Sequence, residues 1–138
     1  MPSVDLNYLA IVGSAIVAYV VGALWYSPFL FGKQWTKMMK FNSKDVPNIK
    51  QKAMQGYIGT FIATLVMAYV LAHFVDYLQA TTFLSGMATG FWIWLGFLAT
   101  TMIGGVFWDN KPFALYLLNV AHYLVALMLM GGILAVWV

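Results

Sequence analysis

Chemistry in a protein rests on ionisable, nucleophilic or metal-ligating side chains, and this chain has few. It carries two histidines, seven lysines and four aspartates, and no cysteine, arginine or glutamate. Thiolate-based zinc, iron–sulfur and disulfide chemistry is therefore closed to it. Among what remains, His122 stands out. Tyr116, Asn119 and Tyr123 accompany it, and at about 100° per residue on a helix the four side chains fall within an arc of roughly 120°. An imidazole, an amide and two phenols on one stripe can make interhelical hydrogen bonds, or can bind a small polar ligand or pass a proton. The second histidine, His73, has Asp76 one turn further on, a spacing that suits an ordinary pair near the water interface. The two histidines differ in depth by about 13 Å at 1.5 Å per residue, too far to serve as axial ligands of one haem. No phosphate loop, nucleophile elbow, zinc motif or nucleic-acid module occurs, so the sequence implies no metal, no cofactor and no nucleic-acid partner.

The elements that must position these residues are legible in the spacing of charge. Charged residues are 8% of the 138, and hydrophobic ones 63%, whereas a soluble domain carries about 25% charged residues. Uncharged runs cover 6–32, 53–75, 77–108 and 112–138. Roughly 20 apolar residues in a helix cross a ~30 Å hydrocarbon core, and each run meets that length. Spans are expected near 5–25, 55–75, 84–108 and 113–137. Continuous apolar runs, rather than alternating ten-residue segments, exclude a transmembrane β-barrel. A helix also satisfies its own backbone in hydrocarbon. The first run follows Met1-Pro2-Ser3-Val4-Asp5, which has no positive segment, and is expected to be a retained span and not a cleaved signal. The predicted fold is an all-α integral membrane protein, a single domain over 1–138 with four transmembrane helices in a compact bundle. Asp45 and Pro47 suit the start of the second helix, Thr81 or Thr82 the cap of the third, and Asp109-Asn110-Lys111-Pro112 the turn before the fourth.

Charge also sets the orientation. Lys33, Lys37, Lys40, Lys44, Lys50 and Lys52 lie between spans one and two, and Lys111 lies between spans three and four. With four spans, all seven share one side of the membrane. The positive-inside rule makes that side cytoplasmic and puts both termini outside, in what is expected to be a bacterial inner membrane. The basic balance therefore points to anionic lipid headgroups. Lys33, Lys37, Lys40 and Lys44 recur at helical spacing, with Trp35, Met38, Met39 and Phe41 largely on another face. That pattern predicts a short amphipathic helix in the interface plane, within the segment 29–44. The charges either enforce topology alone or also bind headgroups.

Ahead of it stands Trp25-Tyr26-Ser27-Pro28-Phe29-Leu30-Phe31-Gly32-Lys33-Gln34-Trp35. Pro28 biases Ser27 away from helix, Gly32 permits a sharp turn, and Trp25, Tyr26 and Trp35 suit the headgroup level. This corner resembles the signature of the DUF1761 family of small multi-span membrane proteins. Gly90-Phe91-Trp92-Ile93-Trp94-Leu95-Gly96-Phe97 is similar to that family's third span. Lys111-Pro112-Phe113, the run Leu117–Leu124 and the run Met130–Trp137 are similar to its fourth. The resemblance runs from Trp25 to the C-terminal end. It departs at Asp109-Asn110-Lys111, where a Glu-Gly-Arg-like turn would be expected. It implies a four-helix membrane protein and no particular activity.

Small residues recur at every fourth position: Ala10, Ser14, Ala18 and Gly22; Gly56, Thr60, Thr64, Ala68 and Ala72; Gly96, Thr100 and Gly104; Gly131 and Ala135. Such ridges let helix backbones approach closely in lipid. Spans one and two, joined by the corner, are expected to be the tight pair, and a spare ridge could join protomers into a homo-oligomer. No carboxylate falls at membrane depth, which weighs against proton-coupled antiport of the small multidrug type. Trp92 and Trp94 point to nearly opposite faces, so at most one lines an interior. The leading expectation is a non-enzymatic transport or ligand-binding unit, or an accessory subunit, with Tyr116, Asn119, His122 and Tyr123 as its polar site. Two alternatives stand beside it: a membrane enzyme acting on a lipid or quinone with His122 as base, and a purely structural subunit of a larger membrane complex.

Overall fold

The computed structural model describes residues 6–39 and 47–137. Lys40, Lys44, Asp45 and the later part of the expected interfacial segment lie outside the described residues. The elements are α1 (Tyr8–Trp25), α2 (Gly32–Met39), α3 (Ile49–Tyr77), α4 (Phe83–Ile93), a π-helical segment (Trp94–Ala99), α5 (Thr100–Met102), α6 (Gly104–Phe107) and α7 (Phe113–Val136). Strands are absent among the described residues. Tyr8–Trp25, Ile49–Tyr77, Phe83–Phe107 and Phe113–Val136 are each long and apolar enough to cross a membrane.

Local chemistry explains most boundaries. Asn7 caps α1, its Oδ1 accepting the Ala10 N–H at 3.1 Å. Thr82 and Ser85 close a reciprocal capping box at the start of α4, which ties up two backbone N–H groups left free at a helix start. Asn48, Gln79 and Asn110 take positive φ at the turns, where Asn tolerates the left-handed region better than most residues. The second span begins at Ile49, with Asn48 as its cap. Pro47 therefore precedes the helix and does not sit in its first turn, as had been expected from the sequence.

The third span is not the continuous α-helix expected over 84–108. Its backbone widens to a π turn at Trp94–Ala99 and breaks again at Ile103. Widening loosens the carbonyl ladder, and in hydrocarbon those oxygens need other donors. Thr100 Oγ1 donates to the Gly96 carbonyl at 2.8 Å, and Thr101 Oγ1 donates to that of Phe97. The fourth helix pins both ends of the widened turn. Trp94 Nε1 donates to the Val120 carbonyl at 2.7 Å, and Tyr116 Oη donates to the Ala99 carbonyl. A π turn in a helix often accompanies function; here it turns Trp94 onto α7 while Trp92 stays exposed.

α7 is the hub, touching α1, α3 and α4. Ser14, Leu71, Leu127 and Met130 are fully buried among the helices. The tight pair is α4 with α7, not spans one and two. A Cβ on Gly86 or Gly131 would collide with the other's carbonyl, and one on Gly90 would collide with the Leu127 carbonyl. Glycine facing glycine removes side chains from both sides of the crossing, which the single ridges of spans one and two do not do. On α3 only the Ala68 and Ala72 end of the ridge is buried, and Gly56 and Gly96 face open space. The ridge Gly96, Thr100 and Gly104 is thus not an internal contact.

Candidate functional site

His122 lies nine residues into α7, about 13 Å along its axis. α1 has 18 residues and α7 has 24, so the end of α1 meets α7 well inside the longer helix. Trp25 and Tyr26, expected at the headgroup level, pack onto α7. Trp25 Nε1 donates to the Leu118 carbonyl at 3.0 Å, and Tyr26 Oη donates to Asn119 Oδ1 at 2.8 Å. Their rings close on the imidazole: the His122 centroid is 6.2 Å from Trp25, 5.3 Å from Tyr26 and 4.8 Å from Tyr123. Gly22 backs the ring, and a Cβ there would stand 2.9 Å from Nε2. The corner and the polar stripe, separate features of the sequence, form one assembly.

Tyr116 does not belong to the cluster, because its hydroxyl is engaged by the third span. Gly32 stands at the sharp turn expected of it, without positive φ. It is needed for space: a Cβ would collide with the Tyr26 and Ser27 carbonyls, and the Gly32 N–H bonds Ser27 O at 2.9 Å. Ser27 holds its own turn by donating to the Leu24 carbonyl at 2.6 Å. Sequence reasoning also missed Gly22 as a partner of His122; the one signal was its place at the end of the span-one ridge. At the other histidine, His73 Nδ1 lies 2.8 Å from the Tyr69 carbonyl, one turn back, rather than toward Asp76.

The imidazole itself is the chemical anomaly. Both ring nitrogens are closed off from solvent, and neither has a hydrogen-bond partner among the described residues. A buried donor or acceptor left unpaired costs about 1–3 kcal/mol. The Asn119 carbonyl oxygen is taken by the Tyr26 hydroxyl and not by the ring.

Tyr26 has a second side. It borders a cleft of about 430 Å³ with Pro28, Gly32, Lys33, Thr36 and Lys37. Lys33 and Lys37 are exposed on α2, one turn apart, while Trp35 is half-buried with its ring 6.1 Å from Tyr26. One phenol thus separates a basic surface cleft from the enclosed histidine. Among the described residues no three His, Asp or Glu side chains gather as a metal site.

Four apolar helices long enough to cross a bilayer, with little charge between their ends, define a multi-pass membrane protein. The family follows from comparison with known proteins. The model for "Protein of unknown function (DUF1761)" matches residues 9–135, nearly the whole chain, and the chain belongs to that family. Neither the curated proteins nor the solved structures contain a significant match to it.

Proposed function

We propose that this chain is a non-enzymatic ligand-binding or transport unit of the bacterial inner membrane. In this reading it is a compact four-helix bundle with both termini outside and its lysines in the cytoplasm. α2 lies in the interface plane there, with Lys33 and Lys37 against anionic headgroups and the cleft beside Tyr26 as the approach to the interior. One observation carries the reading: the His122 ring has two enclosed, unpaired nitrogens inside a wall of Trp25, Tyr26 and Tyr123. A site that leaves polar atoms unpaired in hydrocarbon pays in stability for the ability to bind. The guest is a small neutral or amphipathic molecule with a hydroxyl or carbonyl group to meet the imidazole, and aromatic rings cover its apolar part.

Open small-residue lines support assembly into a homo-oligomer, since Gly56, Gly59 and Gly96 have no atom within 4 Å of their Cβ positions. Native mass spectrometry from gentle detergent tests both statements. The wild-type protein is expected to retain a bound small molecule and to run as an oligomer. H122F is expected to lose the molecule and keep the oligomer. A ligand-free wild-type protein, or equal retention by H122F, overturns the assignment of the site. Tyr26, which touches both cleft and histidine, gives the enzyme reading its one support, with His122 as base toward a lipid or quinone. A quinone or a lipid product in the same spectrum would favour that reading.

A further inference from the structure

The opposite end of the molecule holds a second cavity that the histidine site does not use. It has a volume of about 530 Å³ and opens where α1 begins and where α3 and α7 end, within the few hundred cubic ångströms typical of small-molecule sites. Its polar lining is Asn7, Asp76, Gln79 and Thr81, and its aromatic lining is Trp137. Ala72 and Leu134, both buried, form apolar wall.

Charge decides what such a cavity can hold. Among the described residues Asp76 is the one acidic side chain that lines it, and the described lysines Lys33, Lys37, Lys50, Lys52 and Lys111 all belong to the other end of the helices. The lining is also held in place. Asn7 is held by its cap to Ala10, and the Trp137 backbone N–H bonds the Ile133 carbonyl at 2.9 Å. The Trp137 ring lies so close over Gly13 that a Cβ there would strike it. An indole and a carboxylate on the wall of one cavity can attract a cation together, through the negative face of the ring and through charge. A single carboxylate among the described lining suits a metal dication poorly, since calcium takes six to eight oxygens and magnesium a strict octahedron. An organic ammonium has the complementary character: one diffuse positive charge that needs one anion, on a body that the apolar wall and the indole can cover.

We propose that this outer cavity is a binding site for small organic ammonium ions, with Asp76 as counter-ion and Trp137 as aromatic face. The site is independent of the His122 site. The test uses the full chain in nanodiscs of zwitterionic lipid, with benzyltrimethylammonium as probe and neopentylbenzene as its neutral isostere. Equilibrium dialysis reads binding, and empty discs serve as blank. Wild-type discs are expected to bind the cation saturably above the blank, less tightly as salt rises. Asp76→Asn, at an exposed side chain, and Trp137→Leu are each expected to weaken binding by about fivefold. His122→Phe is expected to leave it unchanged, which separates this site from the histidine one. The proposal is overturned by the absence of saturable binding above empty discs. An affinity unaltered in Asp76→Asn overturns it equally, as does an isostere that binds as well as the cation and loses as much in that variant.

Discussion

Replacing His122 by phenylalanine tests the central reading most sharply, because two accounts of the residue predict opposite signs. Phe keeps ring contacts with Trp25, Tyr26 and Tyr123, each of a kind worth about 0.5–1.5 kcal/mol beyond area burial. It removes both ring nitrogens, which have no partner among the described residues. Relief of one buried unmade donor is worth about 1–3 kcal/mol. Against this stands crowding, because the ring lies close to Gly22, and a modest overpacking costs about 1 kcal/mol. The ligand-free variant is therefore expected to be more stable than ligand-free wild type by about 1 kcal/mol. Reversible unfolding in mixed detergent micelles, followed by far-ultraviolet circular dichroism, measures the difference, with native mass spectrometry confirming that both samples are empty. A variant less stable by 1 kcal/mol or more would refute the reasoning, because it would mean that the imidazole contributes hydrogen bonds to the fold.

Other perturbations address the surroundings of that site. Asn119→Leu strands the Tyr26 hydroxyl and is expected to lower stability by about 0.6–2 kcal/mol in the same unfolding assay. Gly90→Ala forces α4 away from the backbone of α7 and is expected to cost about 1–3 kcal/mol, while Gly96→Ala, in open space, changes unfolding by less than about 0.5 kcal/mol. Replacing Thr100 and Thr101 together by Val removes two donors to the carbonyls of the π turn; a loss of about 1 kcal/mol is expected, and no loss would mean those oxygens need no side-chain partner. The cysteine-free chain also allows a direct check of orientation. Lys111→Cys is expected to react with an impermeant maleimide only in inverted vesicles, and Thr81→Cys only in intact cells; the reverse pattern would invert the topology.

The number and place of the spans belong to the sequence by itself. Few charges over long apolar runs leave a chain no alternative to crossing the bilayer as helices, because hydrocarbon penalises a free backbone group wherever it occurs. The expected orientation rests on the seven lysines in the same way, through their position along the chain alone. The tertiary structure decided what meets what. Gly86 and Gly90 lie outside the small-residue ridge read for the third span, yet they make the closest helix contact. That outcome depends on which face of α4 turns to Gly131, and periodicity on one helix says nothing about the face of another. The π turn at Trp94–Ala99 reads in the sequence as an ordinary apolar helix, and the bonds that flank it, Trp94 to Val120 and Tyr116 to Ala99, cross between helices. Asn119, His122 and Tyr123 were legible as a polar stripe, but their union with Trp25 and Tyr26 was not. That union follows from a length difference, the shorter α1 ending beside the interior of the longer α7, and relative helix height is fixed only when the helices pack.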